Sequence, residues 1–333
     1  MNPGSEIIKQ DLTLINGKLL LIAKRIEKFV PGIKRQLFSG GKKLRPSLLM
    51  LAYRVVKTKR KDSHLKQALA FASVIEMLHN ASLLHDDVIE GSALRRGKET
   101  INSLYGNKKA ILAGDLLTVF SMTLLSGLKT SKVMERALSI CGKAAEKLVE
   151  GEIEEVTGLF KTTITEEEYF RIIICKTAVL FRAACETGAV LAGAKTKQAR
   201  ALKVYGNNLG IAFQITDDIL DYTSKEEILG KPVMSDLLEG KLTLPMIYLL
   251  KSSGKEEKMR LHRIISKIRK GRKEKADFNY VLKLLLKYSS LARAQKKANY
   301  FVKKAKTALR DLPESEVKKA LFNMAEFAIE REC

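Results

Sequence analysis

The sequence predicts an all-α protein, a bundle of roughly ten or more helices, from three observations. Apolar residues recur at three- and four-residue spacing almost throughout the 333 residues. Alternating strand patterns are nearly absent, and the scarce prolines and paired glycines fall mostly where the helical period breaks. With 46% hydrophobic content the chain can bury a large core. Neither a low-complexity linker nor a short repeat interrupts it, so one domain over residues 1–333 is expected.

The elements follow in order. Leu48, Leu49, Leu51, Ala52, Val55 and Val56 form one helical stripe, and Ala68, Phe71, Ala72, Ile75, Leu78 and Ser82 form a second. Further helical segments are expected over 110–127, 131–158, 165–192, 197–223, 242–251, 256–270, 276–311 and 314–331. Breaks fall at Pro31-Gly32, Ser39-Gly40-Gly41, Gly91 to Gly97, Gly106-Asn107, Gly230-Lys231-Pro232 and Leu312-Pro313. No run of about 18 apolar residues that would span a bilayer is expected, and the polar segment Met1 to Gly17 lacks the order of a signal peptide. Cys141, Cys175, Cys185 and Cys333 show no CxxC spacing and read as reduced thiols of a cytoplasmic protein.

Two carboxylate clusters carry the chemistry. Asp86, Asp87 and Glu90 lie about 130 residues before Asp217, Asp218 and Asp221, each set inside an apolar helical stretch. In a helix the first and fifth residues of a cluster share a face one turn apart, so each cluster can aim two or three carboxylates at one point. Adjacent acids repel and oppose the dipole near a helix C-terminus, so the pattern calls for a cation. Oxygen-only ligands suit Mg²⁺, which keeps waters and completes its shell with phosphate oxygens. A merely solvated acidic face is disfavoured by Leu83, Leu84, Val88, Ile89, Ile215, Ile219 and Leu220 around the acids. His79 and His85 are six residues apart and off a common face, so a hydrogen-bonded role suits His85 better than a metal pair.

The formal net charge is +23, and residues 251–310 hold 20 Lys or Arg against 4 Asp or Glu. A solvated helical surface explains this excess. An anionic membrane surface is the partner class it fits next, ahead of nucleic acid, for which no motif is present.

These residues resemble the trans-isoprenyl diphosphate synthases, or polyprenyl synthetases, nearly end to end. The resemblance runs through Gly40 to Pro46, His79 to Gly97, Gly114-Asp115, Lys176 to Ala178, Phe213 to Asp221, and Gly230 to Pro245. One DDxxD motif alone would be weak; all these blocks in order are specific. The resemblance implies an all-helical fold around a central substrate cavity. It also implies head-to-tail condensation of isopentenyl diphosphate with an allylic diphosphate, aided by two or three Mg²⁺ ions, in a homodimer. Asp86, Asp87, Glu90, Asp217, Asp218 and Asp221 would hold the metals. Arg95, Lys176, Lys231 and Lys241, with Thr177 and Gln214, would serve the allylic diphosphate, and Lys42, Arg45, His79 and Arg96 the isopentenyl diphosphate. Asp86, Asp87, Arg95, Lys176, Asp217 and Asp218 are the residues expected to carry catalysis.

One departure is Glu90, where the family motif ends in Asp; the extra methylene shifts its carboxylate by up to about one ångström. The family also implies that Ala81 and Ser82, one turn below the metal site, bear on product length. Their small side chains point to a long tail of about C30–C45 that runs past Met77 and Val74 toward a floor at Phe120 or Met122. A short-chain farnesyl or geranylgeranyl synthase and a non-catalytic partner subunit are the alternatives.

Overall fold

The computed structural model describes residues 4–38, 42–57, 64–224 and 233–330. Their elements are α1 (Lys9–Glu27), α2 (Ile33–Phe38), α3 (Leu44–Val56), α4 (Leu65–Ile89), a ribbon of β1 (Leu94–Arg95) and β2 (Lys98–Glu99), α5 (Ile101–Tyr105), α6 (Asn107–Ser126) and α7 (Lys132–Thr157). Then come α8 (Glu166–Ile173), a π-helical turn (Ile174–Ala178), α9 (Val179–Leu191), α10 (Thr196–Thr223), α11 (Ser235–Glu239), α12 (Leu244–Ser252), α13 (Lys255–Arg269), α14 (Lys275–Lys287), α15 (Ser290–Ala308) and α16 (Glu316–Phe327). The fold is all-α, as the periodicity requires.

One boundary departs from the sequence reading, and one expected helix holds an irregular turn. The segment expected as one helix over 276–311 breaks between α14 and α15, because Ser289 adopts a left-handed backbone, φ 50°, that an α-helix does not accommodate. The segment 165–192 is helical throughout but holds the π turn, whose i→i+5 bonding leaves apolar periodicity nearly unchanged. Its start was legible: Thr165 accepts from the Glu168 N–H while the Glu168 carboxylate accepts from the Thr165 N–H, a capping box.

Helix α4 is buried on every side from Ala68 to Met77, and α3 from Leu48 to Tyr53, which marks both as core helices. Helix α3 packs on α9, α4 on α6, and α10 on both α9 and α15. The long helices α4 and α10 thus lie within the bundle, and each ends in one of the acid clusters.

Helix α6 corrects another expectation. By length and composition it is apolar enough to cross a bilayer, although no such run was expected; its lysines lie in the first turn, and Asp115 is the one charge inside the apolar stretch. Ala110, Ala113, Gly114, Leu117 and Ser121 form its inner stripe, packed on α4. Only 28% of the apolar window is buried, so the opposite face stands open.

Candidate active site

The C-terminal turns of α4 and α10, the π turn, the β-ribbon and α11 enclose a cavity of about 850 Å³. Six carboxylates and five cations line it among the described residues. Asp86 and Glu90, four residues apart, both reach the wall, as helical spacing demands. Asp218 reaches it from α10, and Arg95, Arg96, Lys176, Thr177, Gln214 and Lys241 are also on the wall, whereas Lys42, Arg45 and His79 are not. Lys231 lies outside the described residues.

Asp87 does not face the cavity. A helix turns its side chain about 100° away from that of Asp86, where it is 1% exposed and accepts from Arg95 Nε at 2.6 Å and Gln36 Nε2 at 2.9 Å. It is the anchor that fixes Arg95 on the ribbon. Asp221 is turned inward too. It accepts from Ser235 Oγ at 2.7 Å and the Asp236 N–H at 3.1 Å, so its carboxylate pins the start of α11 to α10. Asp217 is half-buried beside Asp218 and is not part of the cavity wall.

The second wall is organised by hydrogen bonds. Thr177 Oγ1 donates to Gln214 Oε1 at 2.7 Å, Gln214 Nε2 donates to Asp218 Oδ1 at 2.8 Å, and Tyr169 OH donates to Asp218 Oδ2 at 2.5 Å. Lys176 and Thr177 both reach the cavity from the π turn, next to Ile172 and Ile173 at the end of α8. Gly151 on α7 makes room for that turn, since a Cβ there would meet the Lys176 backbone nitrogen at 2.6 Å.

Cations bridge the walls. Lys176 pairs with Glu152 at 2.6 Å and Glu155 at 2.5 Å, while Lys241 pairs with Glu90 and with Glu239 at 2.7 Å. Glu90 therefore reaches from the end of α4 to the segment after α11. Burial pushes the Asp86 carboxyl up to about 7; Lys176 opposes the rise, and Glu152 and Glu90 add to it. Burial, then Asp236, pushes Asp218 well above the usual carboxylate range. Glu90 goes the other way: burial raises it, but Lys241 and Lys176 outweigh that and hold it below its ordinary value. Asp86 and Asp218, buried and only partly neutralised, offer oxygen donors that suit a hard divalent cation. Among the described residues no three acids converge on one point, because Glu90 is drawn to Lys241 and Asp87 to Arg95.

A second cationic cluster surrounds His79. Burial, and then Arg45, Arg96, Arg95 and Lys43, drive its imidazole well below the ordinary histidine range, so it is neutral near pH 7. Arg45 and Arg96 are thus brought together there, with Lys43, which sequence reasoning overlooked. Lys42 stands over the Phe327 ring at 4.7 Å. His85 is hydrogen-bonded as expected: its Nε2 lies 3.2 Å from Ile111 O and 3.5 Å from Asp115, over Gly114, where any Cβ would strike the ring.

The chain-length residues sit below the cavity, not on its wall. Ala81 is buried in the core, and Ser82 Oγ donates to His79 O at 2.9 Å. Further down, Met77, Leu19, Ile22 and Leu117 frame a void of about 10 Å³. Ala81 and Ser82 themselves add little bulk at this level, and Met77 below them is packed in the core. Met122 is 65% exposed and points away from it, which removes it as a floor. Phe120 is half-buried beneath the Arg25 guanidinium, 4.3 Å from the ring centre.

Sequence reasoning missed Gln36, Glu152, Glu155, Tyr169 and Glu239. Only Glu152 and Glu155, as acids in an otherwise amphipathic helix, offered a signal, and their spacing alone matches ordinary surface charge.

Residues 27–285 match the family model described as polyprenyl synthetase. The chain belongs to the polyprenyl synthetase family. The prenyltransferase is 34% identical to the octaprenyl diphosphate synthase of Escherichia coli K12 over 333 residues, covering 98% of both chains. It is 36% identical over 296 residues to a short chain isoprenyl diphosphate synthase of Methanothermobacter thermautotrophicus, covering 88% and 87%. Its fold superposes, with a TM-score of 0.88 and 33% identity over 99% and 98% of the two chains, on a polyprenyl synthase from Caulobacter crescentus complexed with calcium and isoprenyl diphosphate.

Proposed function

We propose that this prenyltransferase condenses isopentenyl diphosphate head to tail onto an allylic diphosphate and makes a long-chain all-trans polyprenyl diphosphate, about C30–C45. The observation that carries the reading is the pair of acid walls. Asp86 and Glu90 face Asp218 across a cavity that also holds Arg95, Lys176 and Lys241, a combination that suits a metal-bridged diphosphate better than any neutral ligand. Mg²⁺ held by Asp86, Glu90 and Asp218 would neutralise charge on the departing diphosphate. Arg95, fixed by Asp87, and Lys176, aimed by the π turn, add charge that is already in place before the C–O bond breaks. The Arg45, His79 and Arg96 cluster suits the isopentenyl diphosphate, with neutral His79 available as a hydrogen-bond partner.

The long product is supported by Ala81 and Ser82, which place no bulk below the metal site, and by the octaprenyl synthase of E. coli among the relatives. A homodimer is supported by the open apolar faces of α6 and α7, where Leu112, Val119, Met122, Val149 and Ile153 are exposed. The basic surface of α13 to α15 suits peripheral contact between a cytoplasmic enzyme and the anionic membrane that takes up its product. The test is incubation of the protein with Mg²⁺, labelled isopentenyl diphosphate and geranylgeranyl diphosphate, with product length read after dephosphorylation. Products well beyond C20 uphold the reading. Growth that stops at C20 or below in every primer trial moves the enzyme to the short-chain class, and no product with any primer moves it to a partner subunit.

A further inference from the structure

Lys273 lies in the turn between α13 and α14, within the run Lys270-Gly271-Arg272-Lys273. It is an exposed residue, yet it forms part of the cavity wall. Its turn follows α13, and α13 packs on α11, which carries Asp236 and Glu239 to the cavity wall. None of the family-like sequence blocks includes it.

Its electrostatic situation differs from that of its neighbours on the wall. Arg95 is paired with Asp87, Lys176 with Glu152 and Glu155, and Lys241 with Glu90 and Glu239. Lys273 makes no ion pair with any described carboxylate. Carboxylates also outnumber cations on the described wall, six to five, so a polyanionic substrate meets a rim that does not favour it. An ammonium on a flexible four-carbon stem at the mouth of a cleft is suited to draw in a diphosphate and follow it inward.

We propose that Lys273 is a binding residue for the allylic diphosphate, contacting its diphosphate group on the Asp218 and Asp236 side of the cavity. The inference rests on the synthase reading. In that reaction the allylic C–O bond breaks with its electron pair leaving on the diphosphate oxygen, a C–C bond forms to the isopentenyl double bond, and one proton is lost from the isopentenyl unit. Lys273 holds the same diphosphate before the step and the pyrophosphate after it. The isopentenyl diphosphate, served by Arg45, His79 and Arg96, does not use it.

The experiment compares wild type, Lys273→Gln, Lys273→Arg and the neighbouring Lys275→Gln, which is exposed and not on the wall. Calorimetry with Mg²⁺ and pyrophosphate reads binding without turnover, and steady-state kinetics reads KM for each substrate. Lys273→Gln is expected to weaken pyrophosphate binding and raise the allylic KM by about fivefold to tenfold, the loss of one charge-assisted contact. The isopentenyl KM stays unchanged, Lys273→Arg recovers most of the loss, and Lys275→Gln behaves as wild type. Unchanged pyrophosphate binding in Lys273→Gln overturns the assignment, as does an equal loss in Lys275→Gln, which would reduce the effect to general surface charge. A wild type that binds Mg²⁺ with pyrophosphate but makes no prenyl product overturns the synthase reading alone, and the calorimetric comparison still decides whether Lys273 contacts the diphosphate.

Discussion

Asp86 and Asp87 are adjacent in the chain, carry the same charge and meet different partners. Asp86 faces the cavity with its carboxyl pushed up to about 7, and Asp87 is sealed under Arg95 and Gln36. The two should therefore fail in different ways. Asp87→Ala leaves the Arg95 guanidinium without its partner, at a cost of about 3 kcal/mol of stability, which urea unfolding would show; retained stability would mean that Arg95 had re-paired. Asp86 instead ties metal affinity to pH. Its raised value means that below about pH 7 a proton occupies the carboxylate and must leave before a metal binds. Mg²⁺ affinity in the presence of pyrophosphate should rise as pH increases toward 7 and level off above it, and Asp86→Asn should flatten that rise; titration calorimetry from pH 5.5 to 8.5 would show both. The difference between these two residues was not legible in their motif, because it depends on Arg95 and on Gln36, which arrives from 51 residues away.

At the scale of elements, the π turn decides the direction of Lys176 and Thr177, and Gly151 decides whether the turn fits. A methyl group at Gly151 would approach the Lys176 nitrogen at 2.6 Å and Cys175 Cβ at 2.8 Å, distances that force the turn or α7 to move. Gly151→Ala should cost about 1–3 kcal/mol, as overpacking of a tight contact does, and should weaken pyrophosphate binding along with it. Thermal unfolding and calorimetry on the same variant would check the pairing, and a loss of stability with full ligand affinity would show that the turn absorbs the methyl without re-aiming Lys176. Sequence periodicity located this helix but not its π turn, since one irregular turn barely disturbs an apolar stripe. The missed break at Ser289 has the same origin: apolar residues on both sides keep helical spacing while the backbone between them does not.

At the scale of the whole molecule, α6 leaves open the face that turns away from α4. Its inner stripe packs on α4, while Leu112, Val119 and Met122 remain exposed beside Val149 and Ile153 of α7. A second copy covering this surface would bury it. Val119→Glu combined with Met122→Glu should then shift a dimer to monomer in sedimentation velocity without loss of helical circular dichroism, because neither residue is in the core. A monomeric wild type would remove the dimer proposal, and the exposed face would require another partner.

The all-α class, the positions of most helices and both acid clusters were determined by the sequence alone. Helical periodicity and the chemistry of clustered carboxylates are local properties, carried within one or two turns. The tertiary structure decided which acids face the cavity, that Glu90 pairs with Lys241 across it, and that Lys176 lies between Glu152 and Glu155 of α7. It also placed Ala81 in the buried core and left Met122 exposed. These outcomes depend on residues far apart in the chain, whose distances are set by helix packing and by competition for the same charges. Spacing along the chain carries no record of either.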